Sequence, residues 1–101
     1  MIFYEINKKS KLLRDEIFGP ILTCEIFSNN SEAIKIANNT EYGLAASIWS
    51  DDFNEIHEFI NKIESGIIHI NSYGEDDNSI PFGGIKNSGY GRDKSVYAFN
   101  E

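Results

Sequence analysis

The chain has 101 residues, 41% of them apolar, and its basic and acidic side chains leave a net charge of -7. That length suits one small domain, and an acidic balance with no basic cluster excludes nucleic acid and anionic membranes as partners. A single cysteine, Cys24, rules out an internal disulfide, and neither a signal peptide nor a membrane-length apolar run is legible, so a cytoplasmic protein is expected.

Residues 2–6 are apolar and aromatic and predict a short strand. Residues 7–15 are polar and basic, an exposed connection. Glu16-Ile17-Phe18-Gly19-Pro20 follows as a stiff turn, because Pro20 holds Gly19 in extended geometry. A carboxylate and an aromatic ring flank that turn. Spacing alone fits two arrangements equally, an exposed acid beside a core ring and a pair facing a ligand.

Residues 21–27 predict a buried strand in which Cys24 is a small inert hydrophobe. Ser28, Asn30 or Ser31 can cap a helix running to Asn38, with Ala33, Ile34 and Ala37 on its apolar face. After Gly43, residues 44–49 predict a second buried strand. Asp51 or Asp52 caps a second helix, whose stripe is Phe53, Ile56, Phe59, Ile60 and Ile63, with His57 off it and exposed. Gly66 stands where a glycine closes a helix. Residues 67–73 predict a third buried strand containing His69. Neither histidine has ligand-like spacing to partners, so no metal site is expected.

Apolar strands alternating with amphipathic helices predict an α/β fold with right-handed crossovers and a parallel sheet. Ligands of such sheets gather at the carboxyl ends of strands, where the segment after Tyr73 begins. The alternation stops at residues 80–95, which hold four of the eight glycines. Gly84 and Gly89 have the spacing of a phosphate-binding P-loop, but Tyr90 replaces its lysine. Gly89 and Gly91 begin a dinucleotide fingerprint that Lys94 breaks. This is therefore not a phosphate cradle of either type. The rigid unit Pro81-Phe82-Gly83-Gly84 is suited to placing the Phe82 ring.

Four motifs then agree: Glu16-Ile17-Phe18-Gly19-Pro20, Asn38-Asn39-Thr40-Glu41-Tyr42-Gly43-Leu44-Ala45-Ala46, the run from Gly66 to Asn71, and Pro81-Phe82-Gly83-Gly84-Ile85-Lys86-Asn87-Ser88-Gly89-Tyr90-Gly91-Arg92. In order and spacing, over nearly the whole chain, they resemble the aldehyde dehydrogenase superfamily. The resemblance is to the late part of its catalytic domain, a partial parallel sheet with alternating helices. Gly91-Arg92-Asp93-Lys94-Ser95 is most similar to the gamma-glutamyl-gamma-aminobutyraldehyde dehydrogenase-like branch.

The resemblance implies oxidation of an aldehyde to a carboxylic acid with NAD or NADP. By it, Glu16 matches the glutamate that binds the nicotinamide ribose, and Phe18 the ring beside it. Phe82 matches a ring lining the substrate tunnel. Residues 74–79 match the tunnel mouth, where Glu75 and Asp76 would meet an amino-aldehyde. The family's catalytic cysteine, general base, oxyanion asparagine and cofactor domain have no counterpart here, and Cys24 is not in the cysteine's motif. The resemblance thus implies that residues 1–101 are a fragment of the catalytic domain, with no catalytic residue of its own and no tight hold on the cofactor. Its expected partners are the aldehyde substrate and an upstream fragment or homologous subunit. The alternative is a non-catalytic piece that complements or docks on an intact relative.

Overall fold

The computed structural model describes residues 1–74 and 77–99. The fold is α/β. Strand β1 (Ile2–Tyr4) pairs in parallel with β2 (Leu22–Cys24), Ile2 opposite Leu22 and Tyr4 opposite Cys24. Helix α1 (Asn30–Asn38) follows, then β3 (Tyr42–Gly43) and β4 (Ala45–Ile48). Helix α2 (Phe53–Lys62) crosses over to β5 (Ile67–Ile70), which lies parallel to β4 with Ala45 opposite Ile67. The last strand, β6 (Ile85–Lys86), runs antiparallel to β3. Short 3-10 turns occupy Lys11–Leu13 and Val96–Phe99.

The parallel pairing and alternating helices match the sequence expectation. The three apolar runs do not, however, join in one sheet. β2 bonds to β1 and β4 bonds to β5, so α1 carries the chain from one parallel pair to another rather than between adjacent strands.

The helix caps follow from side-chain geometry. Asp52 caps α2, its Oδ1 accepting from Asn54 N–H at 2.7 Å and Glu55 N–H at 3.3 Å. Asn29, not Ser28, Asn30 or Ser31, caps α1: its backbone is extended and its Oδ1 accepts from Glu32 N–H at 2.9 Å. The Glu32 carboxylate reaches back to Ser28 N–H at 2.8 Å, a reciprocal arrangement that satisfies a further donor at this end.

Burial departs from expectation. Ile34 of α1 is the one buried apolar side chain among the described residues, at 8% exposure. Residues 21–27 do not form a buried strand. Only Leu22–Cys24 pair, the backbone leaves the sheet beyond them, and Ile26 is 89% exposed. Cys24 is likewise exposed, not a buried thiol. The third run pairs only over Ile67–Ile70 and ends where Asn71 takes a φ of 52°. The radius of gyration, 14.8 Å, exceeds the roughly 13 Å of a well-packed chain this long. The apolar stripes are present, but much of their surface is uncovered.

Gly66 does not close α2. The cap is Ile63 in extended geometry, which needs no left-handed residue. Gly66 is required by close approach instead: a Cβ there would overlap the Gly83 carbonyl oxygen.

Candidate active-site segment

The stiff turn lifts Glu16 and Phe18 away from the packed elements. Gly19 N–H donates to the Ile17 carbonyl at 2.9 Å and Ile21 N–H to the Gly19 carbonyl at 2.8 Å, so two tight turns follow in succession. Phe18 is 94% exposed, which removes the core-ring arrangement. Glu16 lines an open cleft of 650 Å³ whose other wall is Asn38–Tyr42 beyond α1. Among the described residues no hydrogen bond or ion pair engages its carboxylate. A second cleft, of 690 Å³, leads from Glu16 past Tyr42 and Gly43 to Asn87 and Ser88. The fold thus joins the Glu16 turn to the glycine-rich segment, although Phe82 lines neither cleft.

The glycine-rich segment is ordered and clasped. Phe82 and Asp93 exchange backbone hydrogen bonds at 2.7 and 2.6 Å in an antiparallel bridge, closing residues 82–93 into a ring. Inside it, Arg92 Nη1 donates to the Gly84 carbonyl at 3.0 Å and the Gly91 carbonyl at 2.7 Å. Ser88 Oγ accepts from Gly43 N–H at 2.9 Å, pinning the ring to β3. Lys86 Nζ meets the Glu64 carboxylate at 2.5 Å and donates to the carbonyls of Asn38 and Thr40, both at 3.2 Å. It thereby ties α1, the α2–β5 connection and β6 together and satisfies carbonyls at a helix end. Phe82 is half-buried, and Lys94 Nζ lies 5.1 Å from its ring centroid.

Sequence reasoning singled out Glu16, Phe18 and Phe82 but missed Lys86, Ser88, Arg92 and Lys94. A signal was available. Glycines expose carbonyls that need donors, and these four polar side chains are interleaved with them. Glu75 and Asp76, expected at the tunnel mouth, lie outside the described residues. Beside them Asp77 makes a turn: its Oδ1 accepts from Ser79 N–H at 2.8 Å and its carbonyl from Ile80 N–H at 3.1 Å. Hydrogen bonding from Ser79, its backbone N–H first and then its side chain, holds the Asp77 carboxyl below its ordinary pKa.

The aldehyde dehydrogenase family model matches residues 1–101. The chain is 38% identical to the NADP/NAD-dependent aldehyde dehydrogenase PuuC of Escherichia coli, over 99% of its own length and 20% of the relative's. It is 45% identical to the aminoacetaldehyde dehydrogenase of Pseudomonas aeruginosa, over 95% of its length and 20% of the relative's. Among solved structures, the indole-3-acetaldehyde dehydrogenase AldA of P. syringae, in complex with NAD+, superposes with a TM-score of 0.93 at 42% identity, covering 98% of this chain and 20% of that one. The chain therefore spans about a fifth of the length of these relatives. On this match the chain belongs to the aldehyde dehydrogenase family.

Proposed function

We propose that this chain is the late part of an aldehyde dehydrogenase catalytic domain and serves the NAD(P)-dependent oxidation of an aldehyde to a carboxylic acid. The observation that carries the reading is the Glu16–Phe18 turn, an unengaged carboxylate lining a cleft with a bare ring two residues on. A carboxylate offers two acceptor oxygens, which fit the paired hydroxyls of a ribose. An exposed ring supplies a flat apolar face beside it. Glu16 and Phe18 would therefore hold the nicotinamide ribose, and Phe82 would line the aldehyde's path. When bound, the nicotinamide accepts the hydride; Glu16 fixes where its ring sits, and positioning is where such a residue acts on rate. The chain itself supplies no nucleophile to this chemistry, so alone it holds NAD weakly and oxidises nothing.

The test is a segment exchange in which residues 1–101 replace the matching fifth of the P. syringae enzyme. The hybrid should reduce NAD+ with an aldehyde, and the isolated chain should not. A folded hybrid that binds NAD+ but oxidises no aldehyde would overturn the reading. The substrate class we propose is amino-aldehydes, on the acids Glu75, Asp76 and Asp77 in one stretch at the tunnel mouth. The ratio of amino-aldehyde to alkyl-aldehyde kcat/KM should rise in the hybrid at low salt and decline as salt screens the acids. A ratio indifferent to both leaves these acids as surface.

A further inference from the structure

Two observations meet at Lys94. Its ammonium lies 5.1 Å from the centroid of the Phe82 ring, within the reach of a cation–π attraction. Its backbone, with that of Ser95, is left-handed, at φ values of 59° and 58°. Neither residue is glycine, so two successive residues hold a conformation that L side chains disfavour, and the surroundings must enforce it. The enforcing contacts are on both sides. Phe82 and Asp93 close the bridge, the Asp93 carboxylate accepts from Lys94 N–H at 2.8 Å, and Ser95 N–H donates to the Asn78 carbonyl at 2.9 Å. Arg92, the nearest other cation in sequence, spends its Nη1 on the Gly84 and Gly91 carbonyls.

We infer that Lys94 is a specificity-determining residue: by occupying one face of Phe82 it keeps positive charge away from the ring and reserves that depth for the uncharged part of an aldehyde. This rests on the reading of Phe82 as a ring on the aldehyde's path. A cation on one face draws π density toward itself and weakens the attraction of the other face for a second cation, while the two like charges repel across the ring. Charge on the substrate is then disfavoured beside Phe82 and tolerated farther along the aldehyde's length. Lys94 thereby selects an amino-aldehyde by where along its chain the ammonium is carried.

The experiment compares trimethylammonio-aldehydes with their tert-butyl isosteres, at several chain lengths, in the exchanged enzyme. The isosteres share a shape and differ only in charge. In Lys94→Met the ammonium-to-neutral ratio of kcat/KM should rise about tenfold at the lengths that set the charge against the ring, and not at the longest. Lys94→Arg should behave as wild type. A ratio unmoved in Lys94→Met, or raised equally at every length, overturns the inference. If Phe82→Leu changes kcat/KM for none of these aldehydes, it is the reading of Phe82 that fails. Independently of the hybrid, the Phe82 ring carbon and proton resonances of the 101-residue chain report the contact. They should shift in Lys94→Met and stay in Lys94→Arg; unchanged shifts in Lys94→Met also overturn it.

Discussion

Two stretches of this molecule share glycine and phenylalanine and do opposite things with them. Residues 16–20 present their side chains: Phe18 is bare, Glu16 faces an open cleft, and only short local bonds shape the turn. Residues 82–93 fold back on themselves: the backbone closes through Phe82 and Asp93, Arg92 bonds to carbonyls inside the ring, and Ser88 and Lys86 tie it to β3, α1 and the α2–β5 connection. Glycine therefore has two uses here. In the first stretch it lets the chain turn. In the second it lets backbones touch. A rigid clasp beside an open rim suits a site that must hold one partner's ring while leaving room for another molecule.

The sharpest way to break that comparison is to add a methyl group to each kind of glycine. Gly66→Ala puts a Cβ onto the Gly83 carbonyl, where backbone must shift, and should destabilise the chain by about 3 kcal/mol. Gly19→Ala meets only the Ile17 Cγ2 at 4.0 Å and should change stability by less than about 0.5 kcal/mol. Urea unfolding of both variants measures the contrast. Equal losses would mean that the clasp is no tighter than the turn.

A smaller effect should follow from unfastening the clasp without touching its backbone. Lys86→Met removes one ion pair and two hydrogen bonds to carbonyls, from a side chain that is 24% exposed. Because the Glu64 side is half in water, the expected loss is about 1–2 kcal/mol, part of it screened by salt. The same unfolding experiment at low and high ionic strength should show the loss narrowing.

How much of this was legible in the sequence differs between the two stretches for a physical reason. Helix α2 could be read because its stripe and its Asp52 cap are local patterns. The α1 cap was misplaced by one residue, since Ser28, Asn29, Asn30 and Ser31 are all able side chains and only backbone geometry chooses Asn29. The exposed turn was legible in outline because proline and glycine act on their immediate neighbours. The clasp was not, because β3 and β6 pair over two residues separated by some forty in sequence, and no local pattern announces such a pairing. Gly66 shows the ambiguity most plainly. A glycine after a helix can serve a left-handed cap or a close approach, and the decision lies with Gly83, far along the chain. The run over residues 21–27 announced apolar content but not what covers it. Glu16, Phe18 and Phe82 were singled out by motif; the lysine on Phe82 was not, since its approach depends on the bridge.

The smallest expected effect is one of pH at the edge of the clasp. The Asp77 carboxyl, held below its ordinary pKa by Ser79, favours the folded turn while it is ionised. A depressed folded value means the contribution is present at neutral pH and is lost as pH falls through it, below about pH 4. The Ser79 amide resonance should move in that window and not in Asp77→Asn. A titration midpoint at or above the ordinary aspartate value would contradict the bond's role.

The claim at the centre is that the open rim positions the nicotinamide. Single-turnover hydride transfer in the exchanged enzyme, with Glu16→Gln against wild type, tests it most directly. The substitution keeps the shape and removes a charge-assisted acceptor, a loss of about 1.5–3 kcal/mol. Hydride transfer should slow roughly ten- to a hundredfold at saturating NAD+ and aldehyde, with the carboxylic acid product unchanged. An unaltered single-turnover rate would remove Glu16 from the cofactor, and with it the reading of the rim.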